Sequence, residues 1–177
     1  NLPGAVRRAI SKKIRQGCTV TIVVGDKTAN DFYTPPEDAF TPIGALPYLY
    51  EANLRRFCQA HQEAVDQYLL HIHLWRQDGH SFHLKGLLVD DDYVLVTGSN
   101  LNPRAWRLDL ENGLLLHDPE GLLAAQHQAE LERVLTQTRR LAHHSQLDDV
   151  DSYPPPVRRL LRRLAHTRAD RLVNQVL

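Results

Sequence analysis

One stretch of strict alternation restricts the fold of this chain more than any other feature. Leu70, Ile72 and Leu74 alternate with His71 and His73. A period of two places the three apolar side chains on one face of a β-strand and the histidines on the other. Such a strand is stable only when neighbouring strands pair with it and another layer covers its apolar face. The chain is therefore expected to build a sheet with one packed side.

The hydrophobic pattern elsewhere supplies the neighbours that this strand needs. The predicted strands cover 18–24, 69–75, 81–90, 93–97 and 108–117. The predicted helices cover 5–16, before the first strand, and 48–66, between the first and second strands. Two more helices follow the last strand, one from 118 to about 143 and one from 157. This order predicts an α/β fold, a mixed sheet flanked by helices. Residues 1–150 are expected to form one domain, and residues 151–177 a basic helical segment packed on it.

A compact polar cluster follows the alternating strand and occurs once in the chain. His83 and Lys85 lie two residues apart on a predicted strand, so their side chains should project from the same face. Asn100 and Glu111 follow within the next 30 or so positions, roughly two strands further on. An imidazole beside an ammonium and an amide is suited to bind a phosphate group and attack it. The residues alone therefore predict a site that handles phosphate.

A long proline-punctuated loop separates the first strand from the second helix. Loops of about 20 residues inside a compact domain are usually functional or disordered. Lys27, Asn30 and Asp31 in this loop are candidates for a substrate pocket, and a merely polar loop is the alternative. His71 and His73 share a strand face, but two ligands are too few for zinc, so no metal site is expected.

Charge is unevenly distributed along the chain. The net formal charge is zero, yet residues 157–177 hold six Arg and one Asp. The last predicted helix has one apolar stripe, which should pack on the domain. Its arginines could simply be solvated, or they could contact an anionic membrane or nucleic acid, although the aromatic residues that stack on bases are missing. The candidates for membrane contact are Arg158, Arg159, Arg162 and Arg163.

The spacing of the polar cluster resembles the signature of the phospholipase D superfamily, H-x-K-x4-D-x6-G-S-x-N. His83, Lys85, Asp90 and Asn100 match this signature, and Arg104 and Glu111 fit the Arg and the acidic residue that follow it in the superfamily. Thr97 and Gly98 stand where the signature has glycine and serine. Ser99 is interpreted as a turn residue and not as a nucleophile, because no G-x-S-x-G elbow surrounds it. The wider segments VGDKTANDFY, IGALPYLYEANLRRF and TGSNLNPRAWRLDLENGLLLHDP resemble the C-terminal half of the CDP-diacylglycerol–serine O-phosphatidyltransferases of Gram-negative bacteria.

This resemblance implies a phospholipase D-type fold, of which the chain would form one H-x-K half. It also implies transfer of phosphatidyl from CDP-diacylglycerol to L-serine through a phosphohistidine, with no metal or other cofactor. His83 would be one of two catalytic histidines, either of which can be the nucleophile. Lys85 and Asn100 would hold phosphate oxygens, and Glu111 would fix the orientation of the His83 ring. Asp90, Gly98 and Arg104 would support the site, Asp90 by stabilising a turn.

The resemblance further implies a cytoplasmic enzyme, peripheral to the inner membrane, whose N-terminal half carries a second H-x-K cluster. The chain begins at Asn1 and contains no Met, so it is expected to be a fragment with little activity alone. A homo-oligomer is the alternative source of a second cluster. The alternative functions are another superfamily enzyme, either a cardiolipin synthase or a nuclease, and an inactive domain that binds membranes.

Overall fold

A computed structural model describes residues 2–90, 92–167 and 169. Two small sheets are flanked by helices, which confirms the α/β class. The helices are α1 Gly4–Arg15, α2 Leu46–Ala60, α3 Gln62–Asp66, α4 Pro103–Arg107, α5 Ala124–Thr136 and α6 Pro155–His166. The strands are β1 Val20–Gly25, β2 Leu70–Trp75, β3 Gly86–Val89, β4 Tyr93–Thr97, β5 Gly113–His117 and β6 Thr138–Leu141.

The first sheet has the order β1-β2-β6 and contains the predicted alternating strand at its centre. β2 runs parallel to β1 and antiparallel to β6, so that Ile72 faces Ile22 on one side and Leu141 on the other. Leu70 and Ile72 are completely buried, as the alternation requires. Helices α1 and α3 contribute apolar side chains to the same core, which surrounds β2.

The second sheet is an antiparallel meander of β3, β4 and β5. The strand predicted over 93–97 is present with those bounds, but those predicted over 81–90 and 108–117 are shorter. Residues 81–85 and 108–112 are irregular or form parts of turns. Many apolar side chains of this sheet are exposed, among them Leu87 at 54% and Leu115 at 64%. The predicted mixed sheet is therefore divided in two, and the second part has little cover within this chain.

Two helix predictions are wrong in their extent. The helix predicted from 118 to about 143 begins at Ala124 and ends at Thr136, and β6 follows it. Pairing with β2 stabilises this strand, and tertiary contacts of that kind override the local helical pattern. The helix predicted over 48–66 is divided at His61, whose ring Nδ1 contacts the Phe57 carbonyl at 2.9 Å.

Helix α6 packs its predicted apolar stripe against the rest of the chain. Val157 and Leu161 are buried beside Tyr48, Leu49 and Tyr153. The basic segment predicted over 151–177 extends beyond this helix, and positions 168 and 170–177 lie outside the described residues. Over the part of the chain that the structure describes, no helix has the length and apolarity needed to cross a membrane.

Candidate active site

The segment that carries His83 and Lys85 is docked on the loop after β1. This segment precedes β3 and is irregular, whereas the sequence predicted a strand there. The Phe82 amide donates to the Ala29 carbonyl at 2.9 Å, and the Phe82 ring lies 5.2 Å from that of Trp75. Gly25 permits this close approach, because a Cβ there would lie only 3.1 Å from the Phe82 Cβ. Phe82 thus holds the histidine segment against the loop that contains Asp31.

His83 forms its side-chain hydrogen bond with Asp31. Its Nε2 lies 2.7 Å from Asp31 Oδ2, and the two side chains are 62% and 50% exposed. The Lys85 ammonium donates to the His83 carbonyl oxygen at 3.1 Å. The expectation that His83 and Lys85 project from the same face of a strand is therefore wrong, because neither residue is part of a β-strand. A histidine, a lysine and a carboxylate nevertheless meet on an accessible surface.

Asp31 has a defined environment despite its exposure. The Asn30 side-chain oxygen accepts a hydrogen bond from the Phe32 amide at 3.0 Å, which shapes the loop at this point. A hydrogen bond from Ser81 lowers the pKa of the Asp31 carboxyl, and His83 and Lys85 lower it further. The carboxylate is consequently charged at neutral pH. Of the three predicted pocket residues, Asp31 is the one that contacts His83.

Lys27 anchors the same loop through a largely buried ion-pair cluster. Its ammonium lies 3.0 and 2.9 Å from the two carboxylate oxygens of Glu51, and it also pairs with Asp148. Glu51 is only 8% exposed, and the Tyr48 and Tyr153 rings each lie 5.8 Å from the ammonium. Burial raises the pKa of Glu51 in spite of Lys27. The Lys27 ammonium is thus already paired within the protein. It is not free to bind a substrate, as its predicted role in a substrate pocket would require.

The loops that follow β4 and precede β5 form the other side of the predicted cluster. Thr97 Oγ1 donates to the Asn112 carbonyl at 2.8 Å and accepts from the Ser99 amide at 3.0 Å. The Glu111 carboxylate lies against Gly98, where a Cβ would be 2.7 Å from Oε2. Gly98 therefore makes room for Glu111. The hydrogen bond that the His83 ring makes in this structure goes to Asp31, not to Glu111.

The remaining predicted positions have local structural contacts. Asp90 has a positive φ of 50° in the turn between β3 and β4, a conformation that Asp tolerates better than most residues. Arg104 Nε donates to Asp109 Oδ1 at 3.1 Å. Asn100 is exposed beside Gly98. Its amide is accessible to a ligand.

The structure also identifies contributors that sequence reasoning did not single out. A Cβ at Gly86 would lie 2.7 Å from the Leu95 carbonyl oxygen, so glycine lets β3 pair with β4 directly after Lys85. Phe82 and Glu51 help to position the loop that contains Asp31 through contacts with Ala29 and Lys27, which are far from them in the sequence. The glycine next to Lys85 was the one local signal that could have been recognised, since glycine in a strand often marks a close backbone approach.

The described residues contain no group of three or more His, Cys, Asp or Glu side chains arranged to hold a metal ion. His73 Nδ1 is hydrogen-bonded to Thr138 Oγ1 at 2.9 Å, and burial lowers its pKa. His71 and His73 thus contribute to the first sheet and not to the cluster around His83.

Comparisons with known proteins identify the family to which this chain is related. The family described as cardiolipin synthase, PLD-like domain, matches residues 3–135. Two curated relatives are CDP-diacylglycerol–serine O-phosphatidyltransferases, from Haemophilus influenzae at 48% identity and from Escherichia coli K12 at 51%; each match covers all 177 residues and 39% of the relative. The crystal structure of phosphatidylserine synthase from Haemophilus influenzae matches with a TM-score of 0.97 at 48% identity, over 100% of this chain and 40% of that one. The chain thus spans about two fifths of the length of these relatives.

Proposed function

This chain belongs to the family of cardiolipin synthase PLD-like domains, and we propose that it forms one of the two H-x-K-bearing parts of a phosphatidylserine synthase. The enzyme would transfer phosphatidyl from CDP-diacylglycerol to L-serine and release CMP. The observation that carries this proposal is the identity of 48% and 51% over the whole chain to two enzymes of that name. The accessible His83, with Lys85 and Asp31 beside it, supports the same chemistry.

The proposed reaction has two displacements at phosphorus. A histidine nitrogen attacks the phosphatidyl phosphorus, an N–P bond forms, and the P–O bond to CMP breaks. A second histidine protonates the CMP oxygen as it leaves. The serine hydroxyl then attacks phosphorus and gives its proton to that second histidine, while the N–P bond breaks. His83 would be one of these two histidines, and the part of the enzyme outside this chain would supply the other.

Other side chains of the cluster would stabilise charge during these steps. Lys85 would turn from the His83 carbonyl to a phosphate oxygen, and the exposed Asn100 amide would donate to another. Glu111 lies within the same loop cluster, against Gly98, and would orient a catalytic group once substrate is bound. Asp90 and Arg104 would maintain the turns that carry these residues.

The test of this function is acceptor-dependent release of CMP. The natural protein that contains this chain should be purified and given CDP-diacylglycerol in detergent micelles with serine, with phosphatidylglycerol, or with no acceptor. Release of CMP that depends on serine, with formation of phosphatidylserine, is the expected result. A preference for phosphatidylglycerol would favour a cardiolipin synthase, and cleavage of DNA without CMP release would favour a nuclease. No release of CMP under any condition would favour an inactive binding domain.

We further propose that α6 contacts an anionic membrane, which would bring the site to its lipid substrate. Arg158 and Arg162 both contact Asp151, whereas Arg159 and Arg163 are exposed on the same helix. Changing Arg159 and Arg163 to Gln should therefore weaken binding to anionic vesicles with little effect on folding. At about 1 kcal/mol for each basic residue, the expected loss is roughly thirtyfold.

Flotation with vesicles of phosphatidylglycerol and phosphatidylcholine would measure this loss. Pure phosphatidylcholine vesicles serve as the uncharged reference. Lys12 and Lys13, exposed on α1, provide a matched control when changed to Gln. Equal flotation of the Arg159→Gln/Arg163→Gln variant and the unchanged protein would rule out this role for α6.

A further inference from the structure

Asp31 is an unexpected charge at a site for phosphate. Its Oδ2 lies 2.7 Å from His83 Nε2, and Lys85 is near enough to influence its ionisation. The donor of the proposed reaction carries a negatively charged diphosphate. A carboxylate beside the attacked phosphorus repels that group, and repulsion between like charges a few ångströms apart weakens binding. Recognition of the donor therefore does not account for this residue.

The position of Asp31 is fixed by the surrounding structure. The Asn30 side chain shapes the loop, and the Phe82 amide ties the neighbouring Ala29 to the segment that carries His83. Four residues before Asp31, Lys27 attaches the loop to Glu51 and Asp148. The carboxylate is thus held beside His83 by contacts on both sides of the loop and is half exposed to an incoming ligand.

We propose that Asp31 binds the ammonium group of the acceptor and thereby selects a small amino alcohol, such as serine, over water and uncharged alcohols. This inference rests on the proposed function. In serine the ammonium and the hydroxyl are attached to adjacent carbon atoms, so they lie roughly 3 Å apart. That spacing is close to the 2.7 Å between Asp31 Oδ2 and His83 Nε2. An ammonium on Asp31 therefore places the hydroxyl next to the ring of His83.

The order of the reaction steps makes the carboxylate available at the required moment. In the structure, Asp31 is hydrogen-bonded to His83 Nε2. A ring nitrogen that has given its proton to the departing CMP can no longer donate a hydrogen bond, so this carboxylate oxygen loses its partner while His83 stands ready to accept the hydroxyl proton. The serine ammonium replaces that donor with a charged one, which makes a stronger hydrogen bond. Asp31 itself forms no covalent bond and transfers no proton; it is a residue that determines acceptor specificity.

The test compares Asp31→Asn with the unchanged enzyme, using the natural protein that contains this chain. The asparagine variant is expected to raise the KM for serine at least tenfold and to leave the KM for CDP-diacylglycerol unchanged or lower. Slow hydrolysis of CDP-diacylglycerol without an acceptor should be retained. The preference for serine over 3-hydroxypropionate, which lacks the ammonium, should largely disappear. Asp31→Glu should restore part of that preference, and Asp38→Asn, an exposed carboxylate on the same loop, should change none of these values.

The outcomes separate this inference from the proposed function. If the unchanged enzyme shows no serine-dependent CMP release, the proposed function fails and the inference fails with it. If that activity is present but Asp31→Asn leaves the KM for serine unaltered, the inference alone is overturned. A variant that loses hydrolysis and transfer to the same extent, with an unaltered KM for serine, would show that Asp31 only positions His83. A thermal melt of each variant excludes loss of folding as the cause.

Discussion

Replacing His83 by glutamine is expected to reduce serine-dependent CMP release by at least about a thousandfold, because removal of a covalent nucleophile or its acid–base partner has effects of this size. Glutamine retains a polar side chain of similar length at this exposed position, so the fold should persist. The rate of CMP release at saturating serine and CDP-diacylglycerol is the measurement. If His83 is the nucleophile, phosphate label from the lipid should also be absent from the trapped variant.

His80→Gln is the matched control for this experiment. His80 is exposed three residues before His83 on the same irregular segment, and its ring contacts the Asp78 backbone. Its replacement should leave the rate within about twofold, since surface substitutions away from a site have small effects. A His83→Gln enzyme that retains more than a tenth of the activity would exclude His83 from both catalytic roles.

Replacing Lys27 by methionine is expected to lower the free energy of unfolding by about 3 to 5 kcal/mol, the cost of leaving a buried charge without its partner. The charge left behind is that of Glu51, which is only 8% exposed. Burial already raises the pKa of this carboxyl, and loss of the ammonium would raise it further. Because a raised acid pKa penalises the folded state only while the group is ionised, the loss of stability should be smaller at pH 5 than at pH 8.

Urea denaturation at both pH values would measure this effect. Arg55→Met provides a control, because it breaks an ion pair with Asp149 whose carboxylate is 60% exposed. That change should cost less than about 1 kcal/mol. Changing Lys27 to Met together with Glu51 to Leu should recover most of the lost stability, since it removes both buried charges. Equal destabilisation by the single and double changes would contradict this account of the cluster.

The local hydrophobic pattern predicted the structure correctly where a single helix or strand buries one of its faces. The alternation in β2 and the apolar stripe of α6 predicted burial correctly, because each pattern is a direct consequence of packing against one layer. Strand β6 was missed because it is only four residues long and includes two exposed arginines, and its pairing with β2 depends on distant chain. A short strand with one buried apolar side chain has no periodicity to detect.

The site shows the same division between local and distant information. The spacing of His83, Lys85 and Asn100 predicts a phosphate site, and this stays a prediction. The contact of His83 with Asp31, however, joins residues 52 positions apart, and a single sequence does not encode such a distance in any local pattern. Family register favoured Glu111 as the partner of His83, and the structure places that glutamate against Gly98 instead. That Glu111 approaches the His83 ring when substrate is bound stays a prediction, which the Glu111→Gln variant can test.

The anchoring of the Asp31 loop has a consequence for how this protein is made. Lys27 pairs with Asp148, 121 residues further along the chain. During synthesis the first sheet can begin to form as soon as β1 and β2 have emerged from the ribosome, but this ion pair has to wait until Asp148 is also outside the exit tunnel. The Asp31 loop is therefore completed late. A nascent chain stalled before residue 148 should form its core strands while the loop around Asp31 stays open to proteases.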